Sequence, residues 1–330
     1  MFSLLRERGM LMARERENQL RKARVVGATI AYISHPLLSS ERFDTVLIDE
    51  SSQVPLFLAL LAMLRAGKWV LIGDHNQLLP IFRTTKDKVL LRRLSSFCFF
   101  KERFKDSSRW LTWHHRCNPG IIDFPNRHVY NGKMKIHPSC SGITLNVKRE
   151  SLPNYLRPDK PAVFIDVKGE ESPDGGSRFN DEEIKAVGKI LADLLEAGVP
   201  AGSVGVITPY RAQVKAIKSQ LPRRGFEVNT VDSYQGREKE VIVFSATSTR
   251  GMGFVEDVNR LNVALTRPRR KLIVVGNQTS LSRYEGLLDK FVEETSSIGC
   301  LYEYSEGKVG ELPHHLNDFS KYARAREHAI

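Results

Sequence analysis

Short runs of branched apolar residues, each followed by a helical stretch, recur along most of this chain, and that alternation narrows its fold. Val25–Thr29, Thr45–Ile48, Trp69–Ile72, Ala162–Ile165, Val204–Ile207, Val228–Val231, Val241–Ser245 and Leu272–Val275 read as strands, too uniformly apolar to have a wet face. Pro55–Leu64, Ala212–Leu221 and Asn259–Leu265 read as helices between them. The clearest helix starts at a cap, Asn180 or Asp181, and ends near Gly198, with Ile184, Val187, Leu191, Leu194 and Leu195 on one face. Parallel strands need a long crossover, and a helix supplies it, so the pattern predicts parallel sheets flanked by helices. Arg83–Ser108 is helical and basic, whereas Cys117–Asp159 is rich in Pro, Gly, Asn and Ser and reads as a connector with short elements. The expected class is therefore α/β with two parallel-sheet domains. Residues 1–112 belong to the first, 113–160 form the connector, 161–300 the second domain, and 301–330 a polar tail. A length of 330 residues allows two cores.

Composition excludes several classes. Hydrophobic content of 41% and charged content of 27% are those of a soluble globular protein. The longest apolar stretch, residues 54–64, is too short to span a bilayer. The first 24 residues carry seven Arg/Lys and three Glu without an apolar run, unlike a secretory signal. Cys98, Cys117, Cys140 and Cys300 are far apart in sequence and suggest free thiols in an intracellular protein, cytoplasmic or nuclear. The formal charge of +12 favours polyanionic partners. Between Ile81 and Lys135 there are 13 Arg/Lys against 4 Asp/Glu, interleaved with Phe99, Phe100, Phe104, Trp110 and Trp113. Such a segment is either a solvated face or a nucleic-acid footprint, and the aromatic residues favour the second.

The run Thr45-Val-Leu-Ile-Asp-Glu-Ser-Ser-Gln53 delivers Asp49 and Glu50 to the carboxyl end of a strand, where α/β proteins bind ligands. Adjacent acids there suit nucleotide hydrolysis: Asp49 to hold the Mg2+ of a triphosphate, Glu50 to orient and deprotonate water. A second strand runs into Gly73-Asp-His-Asn-Gln-Leu-Leu-Pro80, which brings Asp74 and Gln77 to the same kind of edge. Gln77 there can sense a γ-phosphate. The plainer alternative is a turn in which Asp74 and Asn76 satisfy backbone groups.

These two segments resemble motifs II and III of superfamily 1 helicases, in the group that contains the nonsense-mediated decay helicase and the immunoglobulin mu-binding helicase. Further matches follow in the family's order. Leu111-Thr-Trp-His-His-Arg-Cys-Asn-Pro119 is similar to its Gln-Tyr-Arg-Met-His-Pro segment, and Val206-Ile-Thr-Pro-Tyr-Arg-Ala-Gln213 to its Thr-Pro-Tyr motif. Thr230-Val-Asp-Ser-Tyr-Gln-Gly-Arg-Glu-Lys-Glu240 resembles motif V, and Arg260-Leu-Asn-Val-Ala-Leu-Thr-Arg-Pro-Arg269 resembles motif VI. The likeness runs from about Val25 to Asn277.

The resemblance implies two RecA-like domains with ATP and Mg2+ bound between them, and 5′-to-3′ translocation on single-stranded DNA or RNA. It makes Arg116 and Arg267 arginine fingers; the alternative for any arginine is a surface or interdomain ion pair. Gly236, Arg237 and Glu238 fall at nucleotide-contacting positions. His115 stands where the family stacks a tyrosine on adenine. Thr208, Tyr210, Arg211, Thr230 and Ser233, with Thr29 and Pro80 in the first domain, fall at nucleic-acid-contacting positions, although a strand-end hydroxyl is often only a cap.

The chain departs from the pattern in one major respect. Gly67, Gly132, Gly188 and Gly307 precede lysines, but none of these lysines is followed by Ser or Thr, so motif I has no match. The expectation is a first domain that is incomplete, and a chain inactive by itself, monomeric unless joined by the missing segment in cis or in trans. The competing reading is a helicase-derived module that binds nucleic acid or a partner without hydrolysis.

Overall fold

Among the described residues, hydrogen-bonded ladders gather seven strands into one sheet, and the rest pair off into three two-stranded sheets. The computed structural model describes residues 2–148, 152–221, 225–251 and 253–312. The chain divides into two units, Met1–His75 with Leu79–Ser108, and Asn76–Leu78 with Arg109–Ile330.

In the first unit, strands β1 (Phe43–Ile48) and β2 (Ala66–Leu71) pair in parallel, Val46 opposite Trp69 and Ile48 opposite Leu71. Helix α1 (Phe2–Lys22) precedes them and α2 (Leu56–Met63) makes the crossover. Helices α3 (Lys88–Leu94) and α4 (Ser96–Arg103) follow, capped by the Asp87 carboxylate and the Ser95 hydroxyl. The core is small: Ile48, Ala59, Ala62 and Met63, with Ile30, Ile33, Val46, Val54 and Phe100 half-buried around them. Leu47, Phe57, Trp69, Val70 and Ile72 remain exposed. The strand expected at Val25–Thr29 does not form; that segment is irregular and Val25 is exposed. An apolar run becomes a strand only where a neighbour completes its ladder, and in this unit β1 and β2 pair with each other alone among the described residues.

In the second unit the strands of the large sheet are β3 (Ala162–Val167), β4 (Val204–Thr208), β5 (Glu227–Thr230), β6 (Lys239–Ser245), β7 (Pro268–Gly276), β8 (Leu301–Ser305) and β9 (Lys308–Glu311). Their order across the sheet is β9-β8-β3-β7-β6-β4-β5, parallel except for the β8–β9 hairpin. Successive side chains point to opposite faces. Phe164, Ile207, Ile242, Phe244, Leu272 and Val274 therefore enter one core, and Val163, Ile165, Val206, Val243, Ile273 and Val275 enter another. Helices α5 (Pro119–His128), α8 (Val258–Leu265) and α9 (Leu287–Ser297) cover the first face. Helices α6 (Asp181–Glu196) and α7 (Arg211–Gln220) cover the second. The result is an α/β layer with a mainly parallel sheet buried on both sides.

The connector, read from the sequence as holding short elements, contains the ten-residue helix α5, which buries Ile121, Ile122 and Phe124. Pro119 sits at its start, where a missing amide costs nothing, so Asn-Pro-Gly here opens a helix instead of a loop. The polar tail also begins too early in that reading. Leu301–Ser305 adds to β3 as a parallel strand and turns back as a hairpin, so the sheet continues to Glu311; the rest of the tail, 313–330, lies outside the described residues. Among the described residues no helix is long and apolar enough to cross a membrane.

Candidate active site

In the first unit the turn after β1 is held tightly. Ser51 donates both its amide (2.8 Å) and its hydroxyl (2.7 Å) to the Ile72 carbonyl at the end of β2. The hydroxyls of Ser95 and Ser96, at the start of α4, donate to the Ser52 and Ser51 carbonyls, each at 2.8 Å. Gly73 makes this packing possible, because a Cβ there would lie 2.9 Å from the Ser52 amide nitrogen and 3.0 Å from Ser51 Oγ. The acids are raised on this base. Asp49 is exposed and its Oδ1 accepts the Glu50 amide at 2.9 Å. Glu50 adopts a φ of 49°, a left-handed conformation uncommon outside glycine and associated with functional sites. Asp74 is half-buried, Thr29 exposed and Pro80 buried. His75 meets Lys101 Nζ at 3.0 Å. The serine pairs were missed in the sequence, although Ser95-Ser96 before an aromatic helix is a capping signal.

In the second unit the segment Asn76–Leu78 packs against α8. Asn259 Nδ2 donates to the Gln77 carbonyl, and Asn262 Nδ2 donates to the Asn76 carbonyl at 2.9 Å and to Tyr130 Oη at 2.7 Å. Asn76 Nδ2 returns a bond to the Val129 carbonyl at 3.2 Å. Gln77 is thereby fixed beside Arg267, whose Nη2 lies 3.5 Å from Gln77 Oε1. Arg267 is buried just past the end of α8, its Nε donating to the Val263 carbonyl at 3.0 Å and its Nη2 to Thr266 Oγ1 at 3.2 Å. One extra residue in β7, between Pro268 and Lys271, bulges the ladder with β6 next to this arginine.

Arg116 is paired instead with Glu238, Nε to Oε2 3.2 Å, both half-exposed. Gly236 has a φ of 74°, which glycine adopts without strain, and it turns the chain toward Glu238. Arg237 is engaged with Glu227. His115 is exposed and its ring packs against that of His137, centroids 4.3 Å apart and planes tilted by 34°; His137 had no signal in the sequence. Behind them His114 Nε2 accepts the Cys117 amide at 3.0 Å. Burial, followed by the charge of Arg116, pushes His114 down to about 4, so it is neutral beside the arginine. Burial pushes the Cys117 thiol up to about 12, leaving it unreactive.

The remaining sequence-predicted residues gather at the carboxyl ends of β4 and β5. Thr208 is buried and its hydroxyl lies 3.1 Å from that of Thr247. Tyr210 is half-buried, its hydroxyl 3.0 Å from Ser248 Oγ, and Arg211 is exposed at the start of α7. Thr230 Oγ1 and Ser233 Oγ are 3.2 Å apart. These are hydroxyls and one cation, Arg211, at the carboxyl end of the sheet.

A family model described as "AAA domain" matches residues 87–279, more than half of the chain, and another described in the same words matches residues 4–85. The chain belongs to the superfamily 1 helicases, a family of ATP-dependent enzymes. An ATP-dependent helicase of Methanocaldococcus jannaschii, itself uncharacterised, is 36% identical over 80% of this chain and 40% of its own length. DNA polymerase alpha-associated DNA helicase A of Saccharomyces cerevisiae is 35% identical over 73% of this chain and 39% of its own length. Regulator of nonsense transcripts 1 of Dictyostelium discoideum is 34% identical over 89% of this chain and 23% of its own length. The chain thus spans 40% or less of each of these relatives.

Proposed function

We propose that these residues are the catalytic and nucleic-acid-tracking part of an ATP-dependent helicase or translocase that moves 5′-to-3′ on single-stranded DNA or RNA. The observation that carries this reading is the junction of Gln77 with Arg267, held by Asn259 and Asn262. A γ-phosphate-sensing carboxamide and a finger arginine, far apart in sequence, share one hydrogen-bonded setting, which suits coupling of nucleotide state to the second unit. In this reading Glu50 orients and deprotonates the attacking water. Arg267 and Arg116 stabilise charge on the transferring phosphoryl group, and Arg116 exchanges Glu238 for phosphate when nucleotide binds. Glu238, Arg237, Gly236 and Asp74 line the nucleotide, and His115 stacks on its base. The single carboxylate of Asp49, exposed at a strand end, is the hard oxygen ligand that Mg2+ favours, and the ion would neutralise phosphate charge there. Tyr210, Arg211, Thr230 and Ser233, with Thr29, contact the nucleic-acid backbone, and the buried Thr208 and Pro80 support their own surfaces from below.

No Gly-Lys in these 330 residues continues into Ser or Thr. The proposal therefore assigns the phosphate grip to a further segment, in cis or in trans. The test is ATP turnover with and without single-stranded DNA or RNA. Expected are negligible turnover for these residues alone and nucleic-acid-stimulated turnover once a strand and G-x-x-x-x-G-K-[S/T] loop precede them. Robust hydrolysis by the 330 residues alone would overturn the assignment of the grip. Nucleic-acid binding without hydrolysis by the extended protein would favour a non-catalytic module.

A further inference from the structure

Helix α6 carries Asn180 as its cap and Glu183 three residues on, the pattern in which the glutamate usually turns back to the cap residue's amide. Here it does not. The Asn180 amide donates instead to Gln213 Oε1 at 2.9 Å, and Gln213 Nε2 donates to Ser245 Oγ at 2.9 Å. Glu183 is released to reach across to the end of β6. Its carboxylate accepts the Ser245 hydroxyl at 2.6 Å and the Thr247 amide at 2.9 Å from both oxygens.

Thr247 is the residue that needs holding. Its φ is 66°, a left-handed conformation that a β-branched side chain avoids. Such backbone persists only where its surroundings enforce it, and it concentrates at functional sites. The turn brings Thr247 Oγ1 to 3.1 Å from Thr208 Oγ1 and Ser248 Oγ to 3.0 Å from Tyr210 Oη. A second acid secures the far side: Glu171 Oε2 accepts the Thr249 amide at 2.7 Å. Arg178 pairs with Glu171 at 2.6 Å and lies 4.9 Å over the Tyr210 ring.

We propose that Glu183 is a positioning residue for single-stranded nucleic acid: its carboxylate holds the left-handed turn at Thr247, and that turn fixes the Thr208–Tyr210 loop that meets the strand. Glu183 is entirely buried, burial pushes it up to about 7, and both of its oxygens are spent on the Ser245–Thr247 turn. The inference rests on the reading of the Tyr210 loop as a nucleic-acid contact.

The test measures fluorescence anisotropy of labelled oligothymidylate and oligouridylate with the 330-residue chain, alongside thermal melting. Glu183→Gln is expected to weaken binding about tenfold with little change in the salt slope, since no phosphate-binding cation is removed. Thr247→Gly in the Glu183→Gln background is expected to restore much of the lost affinity, because glycine adopts this φ without the carboxylate. Wild-type affinity in folded Glu183→Gln, or no recovery in the double variant, would overturn the proposal. Should Glu183→Gln fail to fold, Thr247→Pro is decisive: proline can neither adopt this φ nor donate the amide that Glu183 accepts, and wild-type affinity in it would overturn the proposal alone. If the unaltered chain binds neither oligonucleotide at low salt, the nucleic-acid reading itself fails, a result distinct from the others.

Discussion

Arg267→Ala, in a protein that carries these residues behind a phosphate loop, should lower ATP turnover by roughly 10³–10⁵-fold, the usual contribution of an arginine finger. The magnitude follows from preorganisation. The Arg267 guanidinium is buried and already oriented by the Val263 carbonyl and the Thr266 hydroxyl, so it need not reorganise as charge develops. Lysine should rescue little, because an ammonium lacks the planar fork that engages these groups together. The check is kcat under saturating ATP and nucleic acid, read beside nucleotide affinity. A loss of less than tenfold in kcat would reduce Arg267 to a cap on the helix it follows.

Glu50→Gln is expected to reduce turnover by about 10²–10⁴-fold, the range for loss of a general base. The substitution preserves shape, and neither the Ser51–Ile72 bonds nor the serine hydroxyls of α4 depend on the carboxylate. Nucleotide binding should therefore survive while hydrolysis does not, a split that separates loss of chemistry from loss of fold. Unaltered turnover would show that another group activates the water.

Most of the sheet was legible because strands buried on both faces leave a signature that tertiary context seldom overrides. Ala162–Val167 and Val204–Thr208 are buried along their whole length, as their composition implied. Legibility failed where pairing, not composition, decides. Val25–Thr29 has strand composition and no ladder, whereas Leu301–Ser305 has a mixed composition and a ladder on β3. The motif residues were readable from spacing and resemblance, but their supports were not. Ser95 and Ser96 act on carbonyls 43 and 45 residues away. Glu183 stands three residues after the capping Asn180, yet its partners lie 62 and 64 residues downstream. Polar partnerships of that range leave no periodicity to find.

The small core of the first unit has a consequence for how the molecule opens. A two-stranded sheet on a core cluster of four buried residues forms a weak cooperative unit compared with the twin cores of the seven-stranded sheet. Amide hydrogen exchange should divide accordingly: protons on β1 and β2 replaced through a low-energy local opening, those on β3, β6 and β7 only when the second unit unfolds as a whole. The strand that presents Asp49 and Glu50 would then belong to the first region to breathe, and ligands that fasten it would appear in exchange experiments as slowing confined to that unit.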